Sequence, residues 1–132
     1  MISVGAMLLA RRVSLEDPRG IWEMYDAVMP ESFPTSMPLG YLWCRLEFSP
    51  DEMGAHNIEV VMNDPQGCRV CTISQSQLPI PLTANAHGYH DYAFQIENQP
   101  VRLEAPGEYE ISMSIDGQPK RSIYLPVISA GS

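Results

Sequence analysis

Two cysteines and two histidines have the types and spacing of a metal site: Cys68-x-x-Cys71, then His87-x-x-His90. Zinc takes four thiolate or imidazole ligands in a tetrahedron, and two closely spaced pairs can supply them. Three features oppose this reading. Residues three apart on a regular strand face opposite ways, so the cysteines need a tight knuckle to converge. Gly67 precedes the first cysteine, whereas a knuckle usually carries its glycine after the second. His87 and His90 flank Gly88 and Tyr89 in a stretch that reads as loop. Beyond this quartet no cofactor is expected. Cys44 reads as a small apolar residue on a buried strand face. A redox use of Cys68 and Cys71 lacks the helix that such a motif opens.

Other catalytic arrangements are weaker. No serine stands in a Gly-x-Ser-x-Gly elbow, and the strand-turn-helix that places such a nucleophile is missing from the pattern. His90 and Asp91 are adjacent, but neighbours on a strand point to opposite faces, so the pair reads as a surface coincidence. Asp51–Glu52 and Glu108/Glu110 read as a turn and a solvated strand face. The expectation is a chain without catalytic residues. A small hydrolase built on the loop from His87 to Asp91 ranks behind a binding role and behind the zinc site, because no base, nucleophile and oxyanion donor can be grouped.

What remains is a surface that binds. Trp43 falls on the polar face of its strand beside Arg45, with Tyr41 two residues before it. Outward aromatic and arginine side chains are the usual anchors of protein interfaces. The opposing reading has Trp43 covered by a loop, for which Met29 to Pro38 is available. Exposed edge strands offer a second route to a partner or to a homo-oligomer.

The elements that carry these residues announce themselves by two-residue alternation, the mark of strands with one buried face. Leu42, Cys44, Leu46 and Phe48 oppose Trp43, Arg45 and Glu47. Ile58, Val60 and Met62 form a second inward set, and Tyr92, Phe94 and Ile96 a third. Tyr109, Ile111, Met113 and Ile115 alternate with Glu108, Glu110, Ser112 and Ser114, and Ile123, Leu125 and Val127 follow as a partner. Turn chemistry separates the runs: Asp17-Pro-Arg-Gly20 and Asp64-Pro-Gln-Gly67 suit turns with proline second and glycine last. Asp116–Gly117 reads as a hairpin turn. Residues 15 to 28 are expected as strand, and two irregular stretches, Met29 to Pro38 and Leu78 to Gly88, as crossings.

With 12 prolines, 9 glycines and 132 residues, the pattern predicts one all-β domain. The expected architecture is a two-sheet antiparallel sandwich of eight or nine short strands, immunoglobulin-like, with a small barrel as the alternative. A formal charge of −8 disfavours nucleic acid and anionic membranes. The apolar stretch Met1 to Ala10 precedes Arg11–Arg12 rather than following basic residues, the wrong polarity for a signal peptide. A cytoplasmic setting with reduced thiols is therefore expected.

One resemblance spans most of the chain. Ala6-Met-Leu-Leu9, Gly20-Ile-Trp-Glu-Met-Tyr-Asp26, Phe33-Pro34, the strand from Tyr41, Asp64-Pro-Gln-Gly67, Pro106-Gly-Glu-Tyr109 and Asp116-Gly117 together resemble a family of small, uncharacterised bacterial β-sandwich proteins. The Pro-Gly-Glu-Tyr segment is also similar to the penultimate strand of many immunoglobulin-like modules. The resemblance implies the sandwich fold and a bacterial cytoplasmic setting, and assigns no catalytic residue.

Overall fold

The computed structural model describes residues 2–15, 20–24, 27–48, 54–80, 89–96 and 101–129. Among these there are ten strands and no helix: β1 (Ser3–Ser14), β2 (Gly20–Met24), β3 (Thr35–Met37), β4 (Tyr41–Glu47), β5 (Gly54–Asn63), β6 (Arg69–Ile80), β7 (Tyr89–Gln95), β8 (Val101–Leu103), β9 (Gly107–Ile115) and β10 (Gln118–Val127). One four-stranded sheet has the order β2-β1-β4-β7, and a second has β10-β9-β5-β6. All their pairings are antiparallel. The sheets do not close into a barrel, and they pack as the expected sandwich.

The core lies between the two inner faces. Leu42, Cys44 and Leu46 of β4 are fully covered, as are Val60 and Met62 of β5 and Ile111 and Met113 of β9. The alternation of β9 places Tyr109, Ile111, Met113 and Ile115 inward, each no more than 2% exposed. Tyr109 is buried with its hydroxyl donating to the Ala105 carbonyl at 2.8 Å. That tie from the start of a late strand back to the preceding corner is a hallmark of immunoglobulin-like sandwiches. Across the layers, Arg121 of β10 donates to the Val4 carbonyl of β1 at 3.2 Å.

Two turns form as their residues dictate. In the β5–β6 turn the Gly67 amide donates to the Asp64 carbonyl at 2.9 Å, and the Asp64 carboxylate accepts from the amides of Gln66 and Cys68. Gly67 takes φ +87° there. Asp116 and Gly117 take φ +52° and +80°, the pair of left-handed residues that a two-residue hairpin needs to match strand twist.

Ten strands replace the expected eight or nine. The two additional ones, β3 and β8, have three residues each and pair only with one another. β3 lies in the proline-rich stretch expected as a crossing, and β6 runs on to Ile80 into the second such stretch. Of the expected strand over residues 15 to 28, Gly20–Met24 is β2; residues 16–19 and 25–26, with most of the Asp17-Pro-Arg-Gly20 turn, lie outside the described residues.

Candidate functional site

β4 is a central strand of its sheet, so each of its side chains has a neighbour on both sides. Tyr41 stands between Ala10 and Gln95, Trp43 between Leu8 and Ala93, and Arg45 between Ala6 and Asp91. The residues of this row point away from the core set, as the alternation requires. Tyr41 is half-buried. Trp43 is not the exposed anchor that its face suggests: it is only 8% exposed. Its ring lies beneath the Arg45 guanidinium, 5.5 Å from the centroid, within the range of a cation–π contact.

Arg45 is itself held. Its Nε donates to Asp91 Oδ1 at 2.7 Å and its Nη2 to Asp91 Oδ2 at 3.1 Å, the two-pronged geometry in which guanidinium and carboxylate match best. The Asp91 side chain is 6% exposed and that of Arg45 37%. Asp91 is the one buried charged residue among those described, which corrects its reading as a surface coincidence. No sequence signal marks it, because Arg45 and Asp91 meet only through the register of β4 on β7.

Trp43, Arg45 and Asp91 form one wall of a recess whose other walls are Ser14, Leu15, Gly20, Ile21 and Met24 from β1, β2 and the residue after β1. Leu15 is 37% exposed and Met24 64%. The recess is thus apolar along its sides, with a polar patch formed by an ion pair.

Backbone geometry supports the same row. Gly40, just before β4, takes φ +75°, and a Cβ there would lie 2.5 Å from the Ala10 carbonyl oxygen. Its own carbonyl accepts the Ile96 amide at 2.7 Å. The close approach fixes where β4 begins against β1, and hence which residues flank Trp43 and Arg45.

The cysteine–histidine quartet is dispersed as far as it is described. Cys68 is exposed in the β5–β6 turn, while Cys71 sits in β6 opposite Met62 and packs against the core. A register shift between them, opposite Met62 and Asn63, inserts one residue into β6 and turns both Val70 and Cys71 inward. His90 is not in a loop: it is a β7 residue paired with Leu46 in the other sheet. His87 lies outside the described residues. Among the described residues no three histidine, cysteine or acidic side chains group as metal ligands. Cys44 is wholly buried, and burial, with the Asp91 charge adding to it, pushes its thiol up to about 12. It therefore stays protonated and apolar in the fold.

A second polar cluster lies at the opposite sheet. Asp116, at the β9–β10 turn, accepts from the Asn57 amide at 2.9 Å and contacts His56 Nδ1 at 2.7 Å, while its own amide donates to the Asn57 carbonyl. The hydrogen bond with His56, followed by that from the Asn57 amide, holds its carboxyl below the ordinary carboxylate range. A depressed folded pKa contributes stability above the unfolded value, and that contribution is lost as pH falls through the folded one. Asp116→Asn is therefore expected to flatten the acid limb of stability against pH and to leave its alkaline limb unchanged, measured by urea melts over pH.

Residues 10–128 match the model of a family of unknown function (DUF6941). No curated protein matches the chain in sequence. Among solved structures, the chain is similar to the Pseudomonas fluorescens alkylpurine DNA glycosylase AlkC bound to DNA containing an abasic site analog, with a TM-score of 0.51 and 11% identity. The match covers 97% of this chain and 30% of that one. At that identity it shows a shared fold alone.

Proposed function

This chain belongs to that family of unknown function, and we propose from its own site that it is a non-enzymatic protein-interaction or assembly module. The observation that carries the reading is the recess on the outer face of the β2-β1-β4-β7 sheet. There Trp43 lies under Arg45, Arg45 is fixed by Asp91, and exposed Met24 and Leu15 stand at the margin. Methionine and arginine beside a covered indole have the chemistry of an interface hot spot, where apolar contact is made around a rigid polar centre. Tyr41 extends the same row. The setting proposed is a bacterial cytoplasm. Three free cysteines accord with a reducing compartment, and an acidic surface accords with a partner of complementary charge rather than nucleic acid.

Because Trp43 is buried, truncating it tests the fold as much as the surface, and Met24 is the cleaner probe. The wild-type chain used as bait is expected to retain a stoichiometric partner that Met24→Lys binds at least tenfold more weakly, with the melting temperature unchanged. Retention of the same partner at the same affinity by the variant would remove this face from the function.

A further inference from the structure

The four edges of the sandwich are not equally protected. β10 carries Pro119, Lys120, Arg121 and Pro126, the residues that discourage a further strand. β2 is five residues long and has Glu23 at φ +56°, out of the extended region. β7 carries His90 and Asp91. β6 differs. Its first part has two register shifts against β5, but from Ser74 to Ile80 it pairs residue for residue with Val60 to Gly54. That part reads Ser-Gln-Ser-Gln-Leu-Pro-Ile, without a single charge in a chain of net charge −8. Among the described strands, none lies on its far side.

Pro79 limits this edge at its end, but from Ser74 to Leu78 it is regular and uncharged, a site for strand addition, and we infer that its occupant is the same segment of a second copy of this chain. Antiparallel pairing about a two-fold axis through Ser76 sets Gln75 of each copy opposite Gln77 of the other. The row is then self-complementary, amide against amide, as a closed two-fold contact requires. Electrostatics permit it. Among the described residues the nearest acidic one on the outer face is Glu59 on β5, whose carboxylate accepts from Gln75 Nε2 at 3.2 Å. Across the joined edges the two copies of Glu59 lie three strand spacings apart, roughly 14 Å. That exceeds the screening length of about 8 Å at physiological ionic strength. Glu108 and Glu110 are one strand farther away, on β9. The result is one continuous eight-stranded sheet shared by two protomers, leaving the Trp43–Arg45 face of each free on the opposite layer.

The test is a charge swap read by native mass spectrometry and sedimentation velocity on the full chain. The wild-type is expected to be a dimer. Gln75→Lys/Gln77→Lys and Gln75→Glu/Gln77→Glu each set like charges opposite one another and are expected to dissociate, with self-affinity at least tenfold weaker. Both substituted positions are exposed, and unchanged circular dichroism melts would establish that each variant is folded. An equimolar mixture of the two variants is expected to regain a dimer containing one of each. A monomeric wild-type at all accessible concentrations, dimers that survive both double substitutions, or a mixture that stays monomeric would each overturn the inference.

Discussion

Replacing Arg45 by methionine is expected to cost about 2 kcal/mol, more than the loss of its partner does. The substitution leaves the Asp91 carboxylate, 6% exposed, without its guanidinium. Removing the guanidinium from a buried carboxylate costs up to several kcal/mol, reduced here because Arg45 sits where water can reach. Asp91→Asn leaves a guanidinium that is 37% exposed and can turn to solvent, so its cost is about 1 kcal/mol. The double replacement Arg45→Met/Asp91→Leu removes both charges and is expected to recover most of the loss. For a chain of this length 2 kcal/mol corresponds to a fall in Tm of roughly 8 °C. Thermal melts of the three variants check the order. Equal costs for the two single substitutions would show that the pair is a solvated surface contact, and the recess would lose its rigid polar centre.

The second large effect is expected at Gly40. An alanine there adopts an unfavourable φ of +75° and brings its Cβ to 2.5 Å from a backbone carbonyl of β1. Backbone cannot yield as a side-chain end can, so the two strands must part or β4 must shift. Gly40→Ala is expected to cost about 3 kcal/mol, the left-handed conformation and the clash together. Gly117→Ala supplies the reference. It has a similar φ, +80°, with nothing within 4 Å of its Cβ, so it isolates the conformational cost of about 1 kcal/mol. The difference between the two measured values is the clash alone, obtained from urea melts at constant m-value.

The parts of this fold that were legible in the sequence are those fixed by neighbours along the chain. The alternation of Tyr109 to Ile115 determines its buried face whatever it pairs with. Asp64-Pro-Gln-Gly67 and Asp116–Gly117 specify their turns through backbone preferences and, at Asp64, local side-chain hydrogen bonds. What was not legible depends on chain segments far apart. Thr35–Met37 is a strand only because Val101–Leu103 lies beside it; between two prolines, its own residues carry no signal. Parity placed Trp43 on the outer face correctly, but a face is not an exposure, and its cover comes from Arg45 and its surroundings. Asp91 could not be recognised as buried until the β4–β7 register put it beside a guanidinium. The premise of a regular strand from Cys68 to Cys71 failed for a related reason: β6 has a bulge between them.

The parallel bridge between Val28 and Val127, made by the Val28 amide to the Pro126 carbonyl and by the Ile128 amide to the Val28 carbonyl, joins points 99 residues apart in the sequence. Closing so long a loop carries its entropic cost before any neighbouring contact can offset it. β5, moreover, lacks its inner neighbour until β9 has been made. A nascent chain emerging from a ribosome therefore holds an incomplete second sheet until β9 has emerged. The sandwich can seal only after Ile128 has emerged, so β5 and β6 stand as a two-stranded hairpin until β9 arrives and closure is one concerted step.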